Sequence, residues 1–419
     1  MSPTFRALHN PNYRRYALGS LVSNTGTWMQ RVAQDWLVLR LTDGSGTALG
    51  ITTGLQFLPV LLLSPYAGVV ADRFSKRRLL QLTQLTMAIA SLALGLLAVA
   101  GLAEVWQVYL IAFLFGIGSA FDAPARQSFV SEIVGPDDLT NAVGLNSATF
   151  NTARIIGPAV AGLMIGALGG GAWATGWVIL INALSYGAVI WQLEHMDTAL
   201  LHSPKPVART PGMLLEGVRY VRSQPKMMMI LVMVFFAGTF GMNFQITSAL
   251  MATHVFGKGA GEFGILGSAM AVGSLVGALL AARRVHIRVR LVAGAAVGFG
   301  AMEMVAGLMP TYVAFALICP LIGVCTLTML NSANAIMQLE SAPALRGRVM
   351  ALYMTIVMGG TPIGSPIIGW VGQQFGARWT LLGGGMLTMV GVVVAVALFA
   401  RPARDQADAE PERVAVRAA

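Results

Sequence analysis

Long apolar runs separated by short polar, mostly basic connections make up nearly all of the chain. Twelve of these runs are long enough to cross a bilayer as helices: roughly 16–40, 46–71, 79–101, 106–128, 139–168, 173–193, 227–252, 262–282, 290–309, 311–336, 348–372 and 378–400. A helical crossing needs about 20 mostly apolar residues. The longer runs fit tilted or curved helices. The pattern therefore predicts an all-α integral membrane protein with twelve transmembrane helices. The polar opening MSPTFRALHNPNYRRY is too long for a signal-peptide start, and no A-x-A site follows the first run. Span 1 is expected to stay in the protein.

The connections set an orientation. If the N-terminus is cytoplasmic, nearly all Lys and Arg fall on that side, from Arg6, Arg14 and Arg15 through Arg346 and Arg348 to the tail. Only Arg40, Lys258 and Arg378 fall on the other, and Arg31, Arg126 and Arg154 lie within spans. By the positive-inside rule both termini are cytoplasmic. The longest connection, 194–226, separates six spans from six. Pro204, Pro206 and Pro211 keep its first part extended, and Met213, Leu214, Gly217, Val218 and Val221 alternate with Glu216, Arg219 and Arg222. That spacing predicts a short amphipathic helix on the membrane surface. The halves also align weakly as repeats, at an offset of 208 residues that pairs Pro158 with Pro366 and Ala161 with Gly369. The expected organisation is a six-helix bundle over 1–193, the linker 194–226, a pseudo-symmetric six-helix bundle over 227–400, and a disordered tail at 401–419. Two such repeats are a transporter architecture, with a site near the membrane midplane between them.

Composition narrows the function. Charged residues are 11% of the chain, against about 25% in soluble domains, and mean hydropathy is +0.69. These values exclude a soluble enzyme and a disordered chain. The net charge of +10 comes from residues dispersed between apolar runs, so nucleic acid is not a partner. Cys319 and Cys325 share one apolar stretch and point about 120° apart on a helix, so they form neither a disulfide framework nor a metal site. G-x-x-x-x-G-K-[ST], H-E-x-x-H and G-x-S-x-G are all lacking. No cofactor, metal or enzymatic activity is expected.

Between spans 2 and 3 the sequence reads Gly68-Val-Val-Ala-Asp72-Arg73-Phe-Ser-Lys76-Arg77-Arg78. Gly68 removes a side chain where two helices pass closely. Asp72 ends helix 2, where the helix dipole opposes a negative charge. Arg73, Lys76, Arg77, Arg126 and the start of helix 11 are the groups available to offset it. The alternative is a solvated basic loop. The stretch resembles the loop signature of the major facilitator superfamily, with Ser75 in place of its second glycine. The resemblance implies the fold of that superfamily and a latch, formed by Gly68, Asp72, Arg73, Lys76, Arg77, Asp122 and Arg126, that holds the inner face closed. The corresponding Gly277 to Arg284 stretch lacks the acid.

In span 5, Gly144, Ala153, Gly157, Pro158, Ala161 and Gly162 follow the spacing of the superfamily's exporter motif, with two glycines replaced by alanine. Small residues there allow close helix packing, and Pro158 predicts a kink. Span 4 has Ala112 and Phe115 where the superfamily's pattern needs arginine and glutamine. The role of that arginine does not carry over, and Arg126, Arg31 and Arg154 are left as alternatives. Trp28 to Trp36 and Phe121 to Val130 are similar to the enterobactin-exporter-like branch of bacterial efflux proteins, also called transmembrane secretion effectors.

By resemblance, helices 1, 4, 7 and 10 line the substrate cavity. Span 1 carries Asn24, Thr27, Trp28, Arg31 and Asp35 on one stripe; span 4 offers Phe115 and Ser119, with Asp122 and Arg126 further along the same face. Span 7 offers Phe236, Phe240, Asn243 and Thr247, and span 10 offers Cys325, Thr328, Met329 and Ser332. This mixture suits a bulky amphipathic molecule. Ionisable residues within spans mark function by default, so Asp35 with Arg31 is the candidate proton-coupling pair; mutual neutralisation is the alternative. Glu303 in span 9 has no evident role. The expected function is a proton-coupled exporter of a drug, siderophore or secondary metabolite, monomeric, in the bacterial inner membrane. A metabolite importer and a non-transporting scaffold or sensor are the alternatives.

Overall fold

The computed structural model describes residues 3–202, 213–284, 287–343 and 345–418; at 3–4, 65, 72, 213–215, 282 and 401–418 the description is of the backbone alone. A short 3-10 turn at Pro3–His9 precedes fourteen α-helices. They are α1 Pro11–Leu41, α2 Gly46–Arg73, α3 Lys76–Val99, α4 Val105–Ile133, α5 Pro136–Ala167, α6 Ala172–Glu194 and α7 Met213–Arg222, followed by α8 Pro225–Phe236, α9 Phe244–Leu250, α10 Ala260–Ala282, α11 Val289–Leu308, α12 Tyr312–Leu339, α13 Arg346–Phe375 and α14 Ala377–Ala418. No strand occurs among the described residues. Helices α1–α6 are spans 1–6, α8 with α9 is span 7, and α10–α14 are spans 8–12. Helix α7 falls where the linker pattern predicts an amphipathic helix.

Eleven segments among the described residues are long and apolar enough to cross a membrane. The predicted twelfth is α1. Its 31 residues give ample length, but Arg14, Arg15, Arg31, Asp35 and Arg40 lower its hydropathy. Local chemistry sets many helix ends. Asn10 caps α1 by accepting from Asn12 N at 2.9 Å and Tyr13 N at 3.1 Å, and Pro11 supplies a first residue with no N–H to satisfy. Between α13 and α14 stands the single residue Gly376 at φ +97°, a left-handed conformation that glycine adopts without strain. Span 7 is discontinuous: π-turns at Ala237–Gly241 and Met251–Val255 flank α9, and Met242 and Asn243 leave the helix. The backbone of α14 stays helical to Ala418, where the sequence predicts disorder after residue 400. Ten of the nineteen tail residues are alanine or arginine, good helix formers that extend a helix already begun, with Pro402 and Pro411 opposing it.

Contacts divide the chain into two compact units. One comprises Met1–Ala208, Phe244–Val272 and Ser365–Ala377; the other comprises Arg209–Asn243, Gly273–Gly364 and Arg378–Ala419. The division cuts through spans 7, 8 and 11 rather than following the linker, because parts of those helices pack closely on α1, α2 and α5.

In the first unit, glycines bring helix backbones together. A Cβ on Gly157 (α5) would lie 2.6 Å from the Trp28 Cβ and 2.9 Å from the Thr25 carbonyl oxygen of α1. One on Gly116 (α4) would strike the Gln56 carbonyl of α2, and one on Gly176 (α6) would lie 2.9 Å from the Gly95 carbonyl oxygen of α3. Gly26 admits Asn182 and Ser185 of α6 against α1. The start of α10 lies on α5 through Gly162 and Gly264, and the end of α13 lies on α2 through Gly50 and Gly369. Gly46 N also donates to Gln373 Oε1 at 2.8 Å.

The second unit repeats the pairing. Gly360 packs α13 on Gly238 of the π-turn, Gly277 packs α10 on Val324 of α12, Gly300 of α11 meets Gly385 of α14, and Gly391 of α14 receives Phe236. In span numbers, the contacts 1·5, 2·4, 3·6 and 1·6 recur as 7·11, 8·10, 9·12 and 7·12. Each unit thus reproduces the same packing rule, as expected of a duplicated six-helix element.

Gly264→Leu would drive a side chain into the Pro158 carbonyl and Gly162, both backbone. Overpacking of this kind costs about 1–3 kcal/mol or more. We expect reduced folded yield and a lower melting temperature in detergent. Gly187→Leu, where a Cβ meets nothing within 4 Å, is expected to leave both unchanged.

Candidate functional site

The most fully satisfied charge in the first unit is Asp122 on α4. Its Oδ1 accepts from Thr83 Oγ1 at 3.1 Å, Gln84 Nε2 at 2.7 Å and Arg126 Nη2 at 3.2 Å. Its Oδ2 accepts from Arg126 Nε at 2.9 Å. Arg126 also donates to Ser20 Oγ at 3.3 Å, and Gln84 accepts from Ser23 Oγ at 3.3 Å. The pair is one helical turn apart on α4 and only 14% and 13% exposed. Bidentate geometry and side-chain donors from α1 and α3 make it a closed polar network. Sequence reading identified Asp122 and Arg126 but missed Thr83, Gln84, Ser20 and Ser23. The available signal was hydroxyl and amide groups set inside apolar spans.

The basic residues after α2 find partners that the loop motif does not contain. Lys76 Nζ lies 2.5 Å from Glu132 Oε1, and Arg77 Nη2 lies 3.4 Å from Glu194 Oε2. Gly68 stands within α2 and Arg73 is exposed at its end. The side chain of Asp72, the centre of the predicted latch, lies outside the described residues. In the second unit Arg348, at the start of α13, is ion-paired with Glu216 of α7.

Along α1, the expected stripe is brought together with aromatic rings. The Arg31 guanidinium carbon lies 4.6 Å from the Trp28 ring centre and 5.4 Å from that of Phe57. Arg154 of α5 reaches the same Trp28 ring at 5.7 Å, rather than Asp122. Phe150 meets Trp28 edge-on at 6.0 Å, and Thr27 Oγ1 is 2.9 Å from Tyr186 Oη. Cation–π contact of this sort contributes about 0.5–2 kcal/mol. Asn24 is partly exposed on the same helix. Asp35 is 5% exposed, and among the described residues it has no hydrogen bond and no ion pair. Arg31 Nε is likewise buried without a partner. On the face of α1 toward α3 and α6, Gln30 accepts from Ser91 Oγ at 2.6 Å and Asn182 Nδ2 at 2.5 Å.

The other predicted cavity residues are buried or partly buried. Phe115 is buried against Tyr186 and Met87 inside the first unit, and Ser119 contacts the Met87 sulfur at 3.7 Å. Thr247 in α9 is buried, its hydroxyl donating to the Phe244 carbonyl. In the second unit Phe236 packs into Gly391 and meets Phe240 at 5.9 Å. Asn243 Nδ2 donates to the Thr239 carbonyl at 2.8 Å. Met329, Thr328 and Ser332 are buried on α12, Cys325 is partly exposed, and Ser332 Oγ has no partner.

The span 5 motif makes a kink with an inserted side chain. At Pro158, Ser268 Oγ of α10 accepts from Ala159 N at 3.1 Å and donates to the Ile155 carbonyl at 2.5 Å. One hydroxyl thus replaces a helix hydrogen bond that the kink opens. Ala153 and Ala161 are fully buried, Gly157 and Gly162 carry the contacts with α1 and α10, and Gly144 faces open space. At the Leu41 end of α1, a cleft of about 520 Å³ is lined by Trp36, Arg40, Asp43, His254 and Lys258. Among the described residues no group of His, Cys, Asp and Glu could hold a metal ion.

The geometry is that of a multi-pass membrane protein with buried charges held inside a helical bundle. A family model described as transmembrane secretion effector matches residues 2–416. The chain belongs to this family of the major facilitator superfamily. Among curated relatives of this secretion effector, it is 24% identical over 376 residues to macrolide efflux protein A of Streptococcus pyogenes, covering 86% of this chain and 90% of that protein. It is 26% identical over 393 residues to the multidrug efflux pump Tap of Mycolicibacterium fortuitum, covering 90% and 93%. Its fold matches the crystal structure of the nucleoside transporter NupG with a TM-score of 0.73 at 14% identity, covering 93% of this chain and all of that one. The effector's twelve-helix fold is that of the superfamily.

Asp122→Ala would leave Arg126 buried with no carboxylate, a loss of about 3–5 kcal/mol by the usual cost of breaking a buried pair. We expect a clear drop in thermal stability in detergent. Asp122→Ala combined with Arg126→Leu is expected to recover much of it, which a double-mutant cycle measures.

Proposed function

We propose that this secretion effector is a proton-coupled exporter of a small amphipathic molecule, working by alternating access as a monomer in the bacterial inner membrane. The observation that carries the reading is Asp35. It is a buried carboxyl on the polar stripe of α1, without hydrogen bond or ion pair among the described residues. The natural counter-charge, Arg31, rests on Trp28 and Phe57 instead. A buried carboxyl one helical turn from a cation is able to change protonation as its surroundings change, because burial disfavours its ionised form and a nearby cation favours it. By contrast, Asp122 is saturated by donors and suits a structural role. The names of the relatives, a macrolide efflux protein and a multidrug efflux pump, point to outward transport of bulky, partly apolar molecules. The ring-and-guanidinium cluster of Trp28, Phe57, Phe150, Arg31 and Arg154 suits such a molecule.

Cells with and without the protein, exposed to a panel of macrolides, tetracyclines and cationic dyes, should differ in accumulation for at least one compound. Asp35→Asn should bring that compound's pH-gradient-driven efflux in vesicles down to the level without the protein, while Asp35→Glu keeps part of it. Wild-type efflux rates in Asp35→Asn would remove Asp35 from the coupling step, and gradient-driven uptake would favour an importer.

With the basic connections inside, both termini face the cytoplasm. Green fluorescent protein fused after Ala419 is therefore expected to fluoresce, and alkaline phosphatase fused at the same place to be inactive. The reverse pattern would invert the topology.

A further inference from the structure

Glu303 lies on α11, five residues before its Leu308 end. It is 1% exposed, and its Oε2 is buried with no partner. The π-turn of span 7 and α14 close over it. A Cβ on Gly241, in the π-turn of span 7, would lie 2.9 Å from Glu303 Oε2 and 2.9 Å from Thr388 Oγ1 of α14, and would run into the ring of Phe299. Gly385 of α14 covers the Glu303 Cβ. The space beside Gly241 is thus filled by the carboxyl, a hydroxyl and a ring, leaving no room for a hydrated metal ion.

Among the described residues no counter-charge faces this carboxyl. On α12, packed against α11, the titratable groups are Tyr312, Cys319 and Cys325. On α14 the only charged residue before the tail is Arg378, whose Nη1 donates to the carbonyls of Gly307 and Met309 at the end of α11. Lys226 and Arg290 stand at the far ends of α8 and α11, and the π-turn carries no titratable side chain. An ionised carboxylate here would be a buried, unpaired charge, which is far costlier than a buried neutral acid. Next to it the helix of span 7 is interrupted. Thr239 Oγ1 and Asn243 Oδ1, at the same interruption, are also buried without partners. Single π-turns inside helices are frequent at functional sites, and intramembrane acids are functional candidates.

We propose that Glu303 is a second proton-binding carboxyl of this protein, carrying its proton in the conformation seen here and releasing it when the span 7 interruption at Gly241–Asn243 rearranges. This rests on the proton-coupled reading above, and it adds to Asp35 an acid in the second unit at a similar depth from its helix end.

Infrared absorption spectra of the purified full chain, recorded at a series of pH values and compared between wild type and variants, test it without any transported substrate. We expect a protonated-carboxyl stretching band that persists into alkaline solution. It should fall to background in Glu303→Gln, whose amide fills the same space, and remain in Asp35→Asn. Gly241→Ala, which leaves the carboxyl in place but crowds it, should shift the band. A wild-type band equal to that of Glu303→Gln at every pH overturns the proposal, even if export driven through Asp35 is intact. Failure of export with the Glu303 band present overturns only the transport reading.

Discussion

Close backbone contact between helices is the constraint on which the rest of this structure depends. Within a membrane, helix association gains little from the hydrophobic effect and relies on packing and on hydrogen bonds between helices. The glycines supply that packing: Gly157 at Trp28, Gly116 at Gln56, Gly300 at Gly385 and Gly360 at Gly238 each put one helix against the backbone of another. Such contacts tolerate almost no added volume. Their recurrence in the same pairwise order within each unit is the physical content of the duplication.

Tight packing of this kind isolates polar side chains from water, and two classes result. Asp122 is surrounded by donors from Thr83, Gln84 and Arg126 and belongs to the framework. Gln30, bonded to Ser91 and Asn182, is mostly satisfied as well. Asp35 and Glu303 are different: each is buried and lacks the partners that make a charge affordable.

Two of the spans also carry local interruptions. Pro158 opens α5 and Ser268 closes the gap from α10 with one hydroxyl. Span 7 departs from the α-helix at two π-turns, and Gly241, Thr239 and Asn243 gather at the first. Irregular backbone at membrane depth is tolerated only where protein or a cavity surrounds it, and here the surrounding groups are Phe299, Glu303 and Thr388.

Apolar length determined eleven of the crossings, because an apolar stretch of that length has no other stable place; α1 has the length of the twelfth but carries charges that lower its hydropathy. Small residues in α5 and the acid in α1 were legible too, since glycine, alanine and aspartate stand out against an apolar background. The short linker helix followed from its alternation. What the pattern left open was which residue each polar group faces. Lys76 pairs with Glu132 and Arg77 with Glu194, partners distant in sequence and outside the motif that drew attention to the loop. Arg31, one turn from Asp35, turns to Trp28 and Phe57. Phe115 lies in the packing of the first unit, and Glu303 occupies the side-chain space that Gly241 leaves. Periodicity assigns a residue to a helix face, but the neighbour on that face is chosen by the crossing of helices far apart in the chain, and only tertiary packing decides that.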